Sequence, residues 1–363
     1  MKYYWDRNDI EKDFKDLKKA YKESSTEEEK NAIMNAIKET EEIIEDIDSS
    51  FGIYKKELGY QESLDLLADT VPTFEFVYPY LEKLLSILKD DASHRRFSFS
   101  FDNESSNKNL TEDEVFGLVH DFFKGTTKKI YDAFLSIYNN RYKTARFLDS
   151  HLDYVDGYSY FIPYLNKGYI DVSNSKQDYV DGLLTLTHEC AHITTAMINP
   201  NRYGFESAFF NEIETIFMEL IASDYFGESM HDKEFSKTSI DKLEHYYFAA
   251  DDVLDKKRIT EIRLSMGNPP YNEFRDSMSD EFYKALLTVE PLRNIDIDVK
   301  YLFSYIVAVE LYEVYRKDKE LAFHLLDTII RADNEKENET ILKTVEPIKS
   351  LRKYKNRITS SKK

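Results

Sequence analysis

Apolar residues recur at helical spacing along most of the chain. Between residues 8 and 47 they sit among Lys and Glu, and the run breaks at Ser24-Ser25-Thr26, whose side chains suit a helix start ahead of Glu27 to Glu29. The pattern predicts a helical hairpin. Ser49 to Gly52 interrupts it, a short helix is expected over 61–69, and Pro72 and Pro79 bracket the start of another that continues through Leu81 to Leu88. Asp90 to Asn109 reads as a polar loop. Thr111 then stands as N-cap before Val115, Leu118, Val119 and Phe122, with Glu114 placed to close a capping box, and a further helix covers roughly 127–140. From 149 to 171 the period changes: Tyr158, Tyr160, Ile162 and Tyr164 alternate, Gly157 and Asn166-Lys167-Gly168 look like turns, and Tyr169 to Val172 suits a return strand. Ser175, with Asp178 three residues on, opens an amphipathic helix that runs to about Ile198 and ends at Asn199-Pro200-Asn201. Helical spacing resumes from Phe205 to Phe226, with Gly227 as its stop. The remainder is helical in pattern, broken at Gly267-Asn268-Pro269-Pro270 and ending in a basic tail from Lys353 that is expected to fray.

Composition supports a mainly α fold with one small β hairpin. Hydrophobic residues make up 42% of the 363, enough for a sizeable core, and only 10 Gly and 8 Pro stand against 32% charged residues. The formal charge of -19 would repel a phosphate backbone, which argues against nucleic acid as a partner. No apolar run approaches bilayer-spanning length, so no membrane partner is expected and the cytoplasm is the simplest location. A lone cysteine, Cys190, permits no internal disulfide. Oligomeric state is not legible.

Candidate chemistry concentrates in His188-Glu189-Cys190-Ala191-His192. Two histidines four apart lie about 40° apart around a helix, so both imidazoles face one spot, as ligands of a single tetrahedral zinc would. Glu189, next to the first ligand, can reach a zinc-bound water as general base. A catalytic zinc needs a third protein ligand. Glu206, Glu212, Glu214 and Glu219 lie on the returning segment. Glu206 is close to the turn, while Glu212 and Glu219 share one helical face and Glu214 points elsewhere. Glu212 is therefore taken as ligand. Glu219 either hydrogen-bonds the free nitrogen of a ligand histidine or is an ordinary rim carboxylate. Cys190 projects about 100° from Glu189 and reads as packing. The other histidines lack a partner at ligand spacing, His245 beside Tyr246 and Tyr247 being the first to check.

The run Thr187 to His192 together with Asn211 to Glu219 resembles the thimet oligopeptidase and oligoendopeptidase F family of zinc peptidases. The resemblance implies a helical, zincin-like fold, one Zn2+ held by His188, His192 and Glu212, and Glu189 as general base. Tyr160 to Asn166 and Gly168 resemble the family's edge hairpin, implying that Tyr164, Asn166 and Gly168 bind an extended peptide by strand addition. Leu110 to Phe123 resembles an earlier family helix. Near the C-terminus the nearest match to the family's oxyanion tyrosines is Lys300 to Tyr305, which implies catalytic roles for Tyr301 and Tyr305; otherwise both are core tyrosines. The chain departs from the family at Ala191, where glycine is usual, and lacks the family's histidine before the tyrosines. As a short member it divides into an N-terminal helical region, 1–100, and a catalytic region, 101–363, unless the two form one continuous helical fold. The expected activity is hydrolysis of short peptides by zinc-activated water. Its rivals are an inactive, zinc-stabilised helical binding protein and an amidase acting on non-peptide substrates.

Overall fold

A computed structural model of the chain describes residues 4–49, 65, 68, 75–92, 110–148, 157–173, 179–200, 211–267, 269–270, 273, 295–332, 345–346 and 348–360. The expected short helix at 61–69, the polar loop at 90–109 and the turn around Gly204 fall wholly or mainly outside them, and the first residues of that loop, 90–92, are helical instead. So does the Ser175–Asp178 helix start.

The N-terminal hairpin forms as the pattern predicts: α1 (Arg7–Glu23) is capped by Asp6, and α2 (Glu27–Ser49) starts where Thr26 Oγ1 accepts from Glu29 N at 3.2 Å. Next come α3 (Tyr78–Ala92), α4 (Glu112–Lys124) and α5 (Lys128–Thr144). The capping box at α4 is complete, with Thr111 accepting from Glu114 N and the Glu114 side chain accepting from Thr111 N.

Three strands follow. β1 (Ala145–Leu148), which the sequence pattern had not suggested, pairs in parallel with β3 (Lys167–Ser173), and β2 (Gly157–Ile162) pairs antiparallel on the other side of β3. Gly157 thus belongs to a strand. The tight connection is Pro163 to Asn166, closed by Asn166 N donating to Pro163 O at 3.1 Å, with Asn166 left-handed at φ 50°. One sheet face, with Phe161, Ile170 and Val172, joins the main core. The other, with Tyr160, Ile162 and Tyr169, packs with Trp5 against apolar residues of α1 and α2. Trp5 Nε1 donates to Ile170 O at 3.1 Å, and the Arg146 guanidinium lies over the Trp5 ring while bonding buried Asp171.

The main core is built on α6 (Tyr179–Ile198), α7 (Asn211–Met230), α8 (Glu234–Ser265) and α9 (Ile295–Tyr315). Fifteen of the 20 residues of α6 are buried, so this helix is enclosed on nearly every side and is not amphipathic as expected. α7 runs through Gly227 to Met230, past the expected stop. Helices α10 (Lys319–Arg331) and α11 (Leu351–Ser360) complete the described fold. The tail expected to fray is instead docked. Tyr354 is buried, Lys355 Nζ donates to Ile87 O at 2.8 Å, and Lys353 and Arg357 each pair with buried Glu313 at 2.8 Å. No described helix is long and apolar enough to cross a membrane.

Candidate metal centre and active site

Packing of α6 against α7 brings three donors to one point. His188 and His192 present their Nε2 atoms one helical turn apart, 3.0 Å from each other, and Glu212, in the first turn of α7, sets Oε2 3.3 Å from the first and 3.5 Å from the second. Among the described residues these three form the group able to hold a metal ion. Donors about 2.0–2.2 Å from a tetrahedral zinc stand roughly 3.3–3.6 Å from one another, so the observed spacings match such an ion to within a few tenths of an ångström. Imidazole and carboxylate donors also suit zinc chemically.

Further polar contacts orient this group. Glu219 Oε1 lies 2.6 Å from His188 Nδ1, and its other oxygen pairs with Lys242 of α8. A carboxylate here requires the proton on Nδ1, which leaves the Nε2 lone pair aimed at the common point. Thr215 Oγ1 donates to Glu212 Oε2 at 3.2 Å. Burial raises the Glu212 pKa, but the neighbouring His192 and His188 outweigh it and hold the carboxyl well below the usual range.

Glu189, buried between α6 and the sheet, meets the first residue of β2: a Cβ built on Gly157 would lie 2.9 Å from Glu189 Oε1. The strand then follows α6. Eleven residues on, Gly168 touches Ile193, where an added Cβ would come 2.3 Å from Cγ2, so only glycine lets the hairpin lie this close. Among the described residues the sheet order leaves one edge of β2 without a strand partner. Tyr164, 43% exposed, and left-handed Asn166 sit in the connection at the far end of β2 from Glu189. At about 3.3 Å per residue, the six residues of β2 put them roughly 20 Å from Gly157.

The two tyrosines of α9 are placed differently. Tyr301 lies beside the donors: burial, then the charges of Glu212 and Glu189, push its pKa well up. Tyr305, one turn on, is fully buried, stacks on Tyr246 at 4.0 Å and meets Tyr354 edge-on at 6.5 Å. The structure brings Tyr301, and not Tyr305, to the donors. Tyr246 of α8 was not singled out from sequence. It is buried and stacks on Tyr305, and its pKa rises through burial and then through the charge of Glu212. The only hint was its neighbour His245, which is itself exposed. Cys190 is fully buried, and burial followed by the Glu189 charge pushes its thiol up, in keeping with a packing role.

No family model and no curated protein matches the chain. Solved structures do. An X-ray structure described as an oligoendopeptidase F aligns with a TM-score of 0.53 at 12% identity over 96% of this chain and 66% of that one. PZ peptidase A with an inhibitor aligns at 0.52 and 11% identity over 93% and 63%. A protein from Bacillus anthracis str. Ames, also described as an oligoendopeptidase F, gives 0.48 at 15% identity over 93% and 63%. The chain therefore spans less than two thirds of the length of these proteins. At such identities the likeness is one of fold alone.

Proposed function

We propose that the chain is a zinc-dependent peptidase that hydrolyses short peptides in the cytoplasm. The observation that carries this reading is the convergence of His188, His192 and Glu212 on one point, on the helix that carries Glu189 and packs against the start of β2, an edge strand of the described sheet. The fold likeness to oligoendopeptidase F and PZ peptidase structures supports it.

A zinc ion held by His188, His192 and Glu212 would supply Lewis acidity toward the scissile carbonyl and its attacking water. Glu189 takes the proton of that water and returns it to the leaving amine. Tyr301, kept protonated by its surroundings, donates to the oxyanion that develops on the carbonyl. Tyr305 supports Tyr301 by packing behind it. Glu219, braced by Lys242, holds the His188 ring and its tautomer. The open edge of β2 pairs with the main chain of an extended peptide, with Gly168 setting how closely the hairpin follows α6 and with Tyr164 and Asn166 meeting residues far from the cleaved bond. Main-chain pairing favours peptides over small non-peptide amides.

Glu189→Gln tests the mechanism. The variant should retain stoichiometric zinc by elemental analysis and lose roughly 10²- to 10⁴-fold in cleavage of a quenched-fluorescent peptide library. Unchanged cleavage would sink the mechanism. Full zinc occupancy without turnover in the unsubstituted protein would favour the inactive binding protein.

A further inference from the structure

Gly157 has an ordinary extended backbone; among the described residues Gly267 is the glycine with positive φ. Conformational freedom is therefore not why glycine stands at the start of β2. Space is. Strand alternation puts position 157 on the same sheet face as Phe161, the face that packs on α6. A Cβ there would meet Thr185 Cγ2 at 2.5 Å, Glu189 Oε1 at 2.9 Å and Glu189 Cγ at 3.0 Å. Two of those three atoms belong to Glu189. Gly168 makes a useful contrast, because the three atoms nearest its added Cβ all belong to the apolar side chain of Ile193.

We infer that Gly157 is a positioning residue whose missing side chain reserves the space in which the Glu189 carboxylate stands. The inference rests on the reading of Glu189 as general base. The three atoms nearest a methyl group at 157 belong to Thr185 and Glu189, and none to His188, His192 or Glu212. The methyl pushes the carboxylate. Glu189 is buried and walled by the strand on one side and its own helix on the other, so displacement carries it off the line to the attacking water. The position thus ties the start of the substrate-pairing edge to the placement of the base, and both would shift together if the strand slid along α6.

The test uses the full-length, zinc-loaded chain in a Thr185→Ser background, which removes the clashing methyl so that Glu189 alone meets the new side chain. Adding Gly157→Ala should lower kcat on a quenched-fluorescent peptide by roughly 100-fold, the cost of misplacing a reacting group by about an ångström. KM and zinc affinity should stay within about twofold, because substrate and metal contacts are unchanged. Glu189→Asp, which withdraws the carboxylate, should cost at least about tenfold less in the Gly157→Ala background than in its absence, a coupling that general loss of fold cannot produce. Acetohydroxamate, which hydrogen-bonds the base on binding zinc, gives a readout free of turnover and should bind the Gly157→Ala variant more weakly, with recovery on Glu189→Asp. Equal losses on Glu189→Asp in both backgrounds, or zinc affinity falling in step with kcat, would overturn the inference. A parent protein that binds acetohydroxamate in this Gly157-dependent way yet cleaves no peptide would overturn the peptidase reading alone.

Discussion

The donor cluster between α6 and α7 and the tyrosines on α8 and α9 face one another across the candidate site, yet they are held in different ways. His188 and Glu212 are held by directional hydrogen bonds to Glu219 and Thr215, and with His192 they converge at stated atoms on one point. Tyr246 and Tyr305 are fixed by stacking and burial, and Tyr301 reaches from that packed layer to Glu212. Directional contacts tolerate little chemical change at constant shape. A packed layer tolerates loss of a hydroxyl but not loss of volume. Every substitution that keeps shape and alters polarity should therefore act on one region and spare the other, with Tyr301 as the exception that belongs to both.

Three outcomes sharpen or break that contrast. The largest effect expected is at Tyr301: Tyr301→Phe should lower kcat by roughly 10²- to 10³-fold with zinc retained, while Tyr305→Phe, which keeps the ring on Tyr246, should alter it little. Steady-state kinetics of the two variants side by side decides it, and equal losses would erase the distinction between them. Next is Glu219→Gln, expected to weaken zinc roughly 10- to 100-fold in competition with a chromophoric chelator, because the His188 Nδ1–H exchanges an anionic acceptor for a neutral amide oxygen. Smallest is Thr111→Ala, away from both regions, which removes the α4 cap and should cost about 1 kcal/mol by chemical denaturation without touching kcat. The Thr111 main chain and hydroxyl hold the Glu114 carboxyl below its ordinary range, so this contribution is present above that range and fades as pH falls through the lowered value. A Thr111→Ala defect that grew on acidification would contradict the assignment.

The same division explains what could be read in advance. His188, Glu189 and His192 share one helix, and a fixed rise and rotation per residue convert spacing into geometry, so their convergence was legible. The capping box at Thr111 is equally local. Glu212 was reached through the face it shares with Glu219, and the structure puts both against His188. Tyr246 carried no such signal, because its approach to Glu212 depends on how α8 packs against α7, a contact no local spacing encodes. β1 was missed since its four residues, Ala145 to Leu148, are too few to show alternation and follow α5 directly. The tail from Lys353 was misread for a related reason. Its charges suggested solvent, but their partner Glu313 lies forty residues earlier in the chain, buried and waiting for them.

The enclosure of α6 has one more consequence. A helix with 15 of 20 residues buried resists fraying, and most of its amides open to exchange only when the surrounding core opens. Two of the three donors ride on it. An ion bound at that centre would therefore add its binding free energy to the stability of the folded state, and the gain would be read in slower exchange of the α6 amides.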